Sequence, residues 1–187
     1  MDAPSIRQKL AALPSDSDRV RFLIELSLTT RKDNPKLALR FMDDARPLVS
    51  RKATSYRDFE DQIKVADAYS ALDAKKSFEV LEPGIAQLNE LLSAAEVLNG
   101  FEVEVFRDGE LPLQGGSELG GMIARYGQQL ASLAKLDFDH ARMTADKFLL
   151  PEPRLLTKLS IVQGVFGVQP VNDNFRRNQN NFQFVMR

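Results

Sequence analysis

His140 is the chain's single histidine, and Asp137 and Asp139 stand within three residues of it. An Asp-x-Asp-His string offers oxygen and nitrogen donors to a divalent metal. A histidine beside acids is also part of a Ser-His-Asp relay, but no Gly-x-Ser-x-Gly elbow is present to display a nucleophile. One histidine cannot form a two-histidine site. The same residues fit a helix start more simply, with Asp137 as a cap and Asp139 favourable to the helix dipole. A second candidate is Gly115-Gly116-Ser117-Glu118-Leu119-Gly120-Gly121, which has the glycine content of a phosphate cradle. No lysine follows those glycines and no Walker-type strand precedes them. Ser117 is therefore expected to cap the next helix. Carboxylate pairs such as Glu79 with Glu82, Glu102 with Glu104 and Asp58 with Asp61 are numerous. Acid–base hydrolysis needs two carboxylates opposed across a cleft, and neighbours along one helix face are not so placed. These residues imply no catalytic, metal or cofactor site, and an enzyme with an unrecognised site is the least favoured reading.

The C-terminal segment 169–187 is expected to be a tail apart from a single helical domain at 1–168. From Val171 to Arg187 it holds five asparagines, two glutamines, three phenylalanines and three arginines. Such composition suits a loosely attached segment. Phe175, Phe182 and Phe184 with Arg176 and Arg177 also make it a candidate for partner binding, by docking on an apolar surface. Stacking on nucleic-acid bases is not expected, because three arginines leave a weak electrostatic footprint.

The 187 residues include no cysteine, which removes disulfides, thiolate nucleophiles and cysteine-ligated metals. A net charge of −1 gives no general affinity for nucleic acid or anionic membranes. No apolar run approaches the roughly 18–20 residues needed to span a bilayer, and Met1-Asp2-Ala3-Pro4-Ser5 does not read as a signal peptide. The chain is expected to be cytoplasmic, with export after loss of a leader as the alternative. Charge is uneven along it: +5 over 31–57, −10 over 58–118 and +4 over 119–187. Uneven runs are commonly solvated helix faces. The sharper reading is that acidic and basic surfaces meet, within one molecule or between copies.

The elements that would position these residues are helical. Phe78, Leu81, Ile85, Leu88, Leu92 and Ala95 keep steps of three and four through Pro83-Gly84, which predicts one long, kinked helix over 74–99. The proline costs about 3 kcal/mol in a helix interior. Six buried apolar side chains at roughly 1.5–3 kcal/mol each offset it. Val20, Leu23, Leu26 and Leu28 follow the cap choices Ser15 to Asp18, and Leu37, Phe41, Ala45 and Leu48 follow Asp33-Asn34-Pro35. Ser55 with Asp58 resembles a capping box ahead of Tyr56, Phe59, Ile63, Ala66, Tyr69 and Leu72. Later stripes are Met122 or Ile123, Tyr126, Leu130 and Leu133, then Phe138, Ala141, Ala145 and Phe148. A last stripe of Leu155, Leu159, Val162 and Phe166 ends at Gly167. Between Asn99-Gly100 and Glu118 lies an irregular insertion, where Phe101, Val103 and Val105 alternate with acids and suggest a small β-hairpin.

About eight helices with short connections predict an all-α fold of antiparallel hairpins. Asp33, Asp73 and Asp137 each stand between a finishing helix and a starting one, at separations of 40 and 64 residues. Leu72-Asp73-Ala74-Lys75-Lys76-Ser77 and Leu136-Asp137-Phe138-Asp139-His140-Ala141 place a small residue alike. Over 15–167 this resembles the tetratricopeptide-like and related α-solenoid proteins, whose repeats stack helix pairs, although the Trp-Leu-Gly-Tyr pattern of the consensus is missing. The resemblance implies a concave groove that binds a peptide or protein. The expected function is a non-catalytic interaction or scaffold module. Self-association through helix 74–99 or the tail is the alternative. Besides the tail residues, Glu79, Glu82 and Glu90 on the acidic outer face of the long helix are the candidates for meeting a basic partner.

Overall fold

The computed structural model describes residues 3–99, 101, 106 and 117–167, with side chains from Ile6 onward. Eight helices follow one another among them: α1 (Ala3–Ala12), α2 (Asp16–Thr30), α3 (Pro35–Val49), α4 (Tyr56–Ser70), α5 (Ala74–Leu98), α6 (Glu118–Ala134), α7 (Phe138–Ala145) and α8 (Pro151–Phe166). No strand occurs among the described residues. The hairpin expected in the insertion falls outside them, as does the tail 169–187. Phe106 is nevertheless buried against the core, with its N–H donated to Asn99 Oδ1 at 2.9 Å.

The helices form three hairpins, α2–α3, α4–α5 and α6–α7, and the even-numbered helices touch in series from α2 through α4 and α6 to α8. Each hairpin turns in the same way. The N–H groups of Asn34, Asp73 and Asp137 donate to the carbonyls of Thr30, Tyr69 and Leu133, at 2.7, 2.7 and 2.9 Å. The same three side chains then cap the second helix by accepting from Leu37, Lys76 and His140 N–H, at 3.0, 3.2 and 3.0 Å. The cap of α3 is thus Asn34 and not Asp33, a shift of one residue from the spacing expected. With that register a fully buried small residue stands four places beyond each of these three caps: Ala38, Ser77 and Ala141. A small side chain there lets the paired helices approach, and Ser77 uses its hydroxyl to donate to the Ala66 carbonyl of α4 at 2.6 Å.

α5 runs unbroken through Pro83. Phe78, Leu81, Ile85, Leu88 and Leu92 are all buried, and Ala95 packs partly buried against them. Pro83 itself faces solvent, so the carbonyl it leaves without an amide partner can be hydrated. Gly84, one residue on, is buried for a separate reason. A Cβ built on it would lie 2.0 Å from the Tyr126 hydroxyl and 2.6 Å from Gln62 Oε1. That space belongs to a polar relay inside the core: Tyr126 Oη donates to Gln62 Oε1 at 2.8 Å, and Gln62 Nε2 donates to the Val49 carbonyl at 3.1 Å. Burial pushes the Tyr126 phenol well above its ordinary value, so it remains a donor. Pro83-Gly84, expected to lie inside one helix, is an exposed proline beside a packing notch.

The last helix departs from expectation. Its buried face is Pro153, Thr157 and Ile161, not the large apolar stripe. The cause is close approach to α6. A Cβ on Gly164 would meet Ala131 Cβ at 2.8 Å, and one on Gly127 would meet Ser160 Oγ at 3.0 Å. Gly127 and Gly164 thus let the two helices pack closely, and Thr157 and Ile161 fill the face between them. Leu155, Leu159, Val162 and Phe166 consequently point away from α6.

Candidate interaction surfaces

The expected cap at Asp137 is present, and the His140 side chain has a further use. Its ring stacks on Phe78 of α5, with centroids 3.9 Å apart and planes 15° apart. Nε2 stands 3.5 Å from Glu82 Oε1, and Nδ1 stands 3.9 Å from Asp137 Oδ2. The histidine thus fastens α7 to α5. No grouping of three or more metal-ligating side chains occurs among the described residues. Ser117 caps α6 by accepting from Gly120 N–H at 3.1 Å. Asp58 receives the N–H groups of Thr54 and Ser55 at 2.7 and 2.9 Å. Burial alone would raise its carboxyl, but these hydrogen bonds outweigh it and hold the group below its ordinary value.

The three glutamates expected to face a basic partner are each engaged inside the chain. Arg46 reaches Glu79 at 2.9 Å, Lys147 reaches Glu82 at 2.7 Å and Lys52 reaches Glu90 at 2.8 Å. Phe175, Arg176, Arg177, Phe182 and Phe184 lie outside the described residues. Acidic and basic runs therefore meet within one molecule. In the reverse sense, Lys76 of α5 reaches back to Asp43 of α3 at 2.6 Å. Tyr69 donates to that same carboxylate oxygen at 2.9 Å. Burial opposes ionisation of Asp43, but the two hydrogen bonds and the charges of Lys76 and Arg46 prevail and lower its pKa. The Tyr69 phenol is raised, first by burial and then by its bond to Asp43.

Open surface is found elsewhere. A cleft of about 380 Å³ lies between α2 and α4, with Ile24 and Leu28 as apolar lining and Arg21, Glu25, Arg31 and Lys64 among its charged lining. Leu28 is exposed there, outside the core row of Val20 and Leu23. A sequence signal for this face existed: Arg21, Ile24, Leu28 and Arg31 form their own line at steps of three and four, off-phase from the core row. A smaller cleft of about 270 Å³ beside Val20 and Leu48 is lined by Asp16, Ser17, Arg51, Asp58 and Asp61. Its polar groups are already matched: Arg51 pairs with Asp16 at 3.0 Å, Ser17 donates to Asp61, and Lys64 reaches Asp61 at 2.9 Å. Another open face is the outer side of α8, where Leu155, Leu159, Val162 and Phe166 are 59, 48, 44 and 77 % exposed.

No helix among the described residues is long and apolar enough to cross a membrane. No protein-family model matches this chain, and comparison with curated proteins and with solved structures finds no similar protein.

Proposed function

We propose that the chain is a non-catalytic helical-repeat module of the α-solenoid kind, tetratricopeptide-like in arrangement, which holds a segment of a protein partner. The repeat reading is supported by the three hairpins that turn and cap alike, by the small residue four places after each cap, and by the serial contact of the even-numbered helices. The observation that carries the binding role is the α2–α4 cleft, whose apolar floor of Ile24 and Leu28 is bordered by charges of both signs. That combination suits an apolar anchor side chain on a polar segment, the usual make-up of a recognition hot spot. Glu79, Glu82 and Glu90 serve the module's own cohesion in this reading.

The test uses the full chain and its Leu28→Glu variant as paired baits in extract from the native source. Because Leu28 is exposed, the variant should fold normally by circular dichroism. Proteins retained by the wild type and lost from Leu28→Glu are the expected result, followed by direct binding measurements on the strongest. Identical retention by both baits would sink the proposal.

A further inference from the structure

α8 ends the series of stacked even-numbered helices with an apolar outer face. Its inner side is used against α6 through Thr157, Ile161 and Gly164, so the outer stripe has no part in the core formed by the described residues. The spacing of that stripe is symmetric. Leu155 and Phe166 lie equally far from the midpoint between Ser160 and Ile161, and so do Leu159 and Val162. A second α8 laid antiparallel across the first therefore places Leu155 on Phe166 and Leu159 on Val162, twice over. This is the self-complementarity an isologous two-fold contact requires. Charge agrees with the antiparallel choice. Lys158 would oppose Gln163 of the second copy, whereas a parallel pairing would set Lys158 on Lys158 and Arg154 on Arg154. Within its own chain Lys158 is held by Asp146 at 2.5 Å, and Arg154 donates to the carbonyls of Phe148 and Leu149, both at 2.9 Å. The basic side chains of α8 are thereby drawn to its flanks.

We infer that the outer face of α8 is a homodimer interface, in which the Leu155–Leu159–Val162–Phe166 stripe packs antiparallel against the same stripe of a second copy. It is independent of the α2–α4 cleft and stands or falls apart from it. A helix of 16 residues presents a contact of about 24 Å. A contact made by one such helix face is small beside the roughly 1,200–2,000 Å² of standard interfaces, so the dimer should dissociate within the concentration range of a sedimentation experiment.

The test is sedimentation velocity of the full chain from low to high micromolar concentration, with wild type, Leu159→Glu and a triple Phe175→Ser/Phe182→Ser/Phe184→Ser variant. The expected result is a concentration-dependent dimer for wild type and for the triple variant, and a monomer for Leu159→Glu with an unchanged melting temperature. Orientation is read by disulfide trapping, which is clean because the chain has no cysteine. A mixture of Leu155→Cys and Phe166→Cys chains should give the mixed disulfide well above either self-disulfide. A wild-type monomer throughout overturns the inference. So does a triple variant that dimerises when wild type does not, since the stripe would then be covered by the chain's own tail. A dimer that survives Leu159→Glu places the contact elsewhere, and dominant Leu155→Cys self-disulfide overturns the antiparallel arrangement.

Discussion

Replacing Gly84 by alanine tests the claim that this glycine is a packing notch in a continuous helix. Alanine in place of glycine ordinarily stabilises a helix interior by about 1 kcal/mol. Here the new methyl would stand 2.0 Å from Tyr126 Oη, 2.8 Å from its Cζ and 2.6 Å from Gln62 Oε1, all inside contact distance. The phenol must withdraw, and overpacking of this kind costs about 1–3 kcal/mol. Withdrawal also breaks the Tyr126–Gln62 hydrogen bond in a buried setting, which adds about 1–3 kcal/mol. The net expectation is a loss near 3 kcal/mol, or a fall in Tm of about 6–12 °C for a chain of this size. Urea unfolding followed by circular dichroism would measure it. Tyr126→Phe alone should cost about 1–3 kcal/mol, by leaving Gln62 Oε1 without its donor. The double variant should cost at least about 1 kcal/mol less than the two singles together, because the nearest obstructing atom is gone. A Gly84→Ala protein more stable than wild type, or strict additivity in the double variant, would refute the notch.

Three further outcomes follow from the geometry. Asn34→Ala should destabilise by about 1 kcal/mol in thermal melts and Asp33→Ala by much less, since Asn34 is the cap of α3; equal losses would restore Asp33 to that place. His140→Ala removes the stacked contact with Phe78 and should cost about 0.5–1.5 kcal/mol, seen first as faster amide exchange in α7. The pH dependence of Asp43 has a defined sign. Its folded pKa lies below the ordinary 3.8, so its stabilisation is present above that value and is lost as pH falls through the folded one. The stability gap between wild type and Asp43→Asn should therefore be largest near neutrality and shrink as pH falls below the ordinary 3.8, and a gap constant with pH would contradict the assignment.

Periodicity carried the interior of the fold further than its ends. The rows in α3, α4, α5 and α6 were legible because large apolar side chains define the buried face there, as with Phe41, Phe59, Phe78 and Tyr126. In α8 the same reasoning points to the wrong side. Gly127, Ala131, Ser160 and Gly164 bring α6 and α8 into close approach, with Thr157 and Ile161 filling the rest of the inner face, and hydrophobic spacing gives small residues little weight. The turn repeat was legible to within one residue. Asp33-Asn34 offers two adjacent capping side chains, and only the hydrogen bond from Leu37 N–H separates them. As for the candidate sites, the acidic row on α5 was visible in sequence, but its partners come from α3, the turn that follows α3, and the turn after α7. No local pattern could show that Arg46, Lys52 and Lys147 were already committed to it.

That commitment bears on what kind of partner the proposed interaction role would select. The basic run of 31–57 and the acidic run of 58–118 looked like surfaces awaiting opposite charge. Arg46–Glu79, Lys52–Glu90 and Lys76–Asp43 join them within the hairpin stack instead. Exposed pairs of this type contribute about 0–1 kcal/mol each, so their effect on stability is small. Their effect on recognition is larger, because a charge already satisfied at 2.6–2.9 Å offers an incoming protein only an exchange of partners. Affinity then has to come from apolar surface that the fold leaves open, and Ile24 and Leu28 in the α2–α4 cleft and the stripe on α8 are two such surfaces. Salt is the discriminating variable. Binding through these faces should persist, and even strengthen, as ionic strength rises from 0.05 to 0.5 M, because screening weakens charge pairs and leaves apolar contacts intact. Binding that fell steeply over that range would return the acidic face of α5 to the centre of the account.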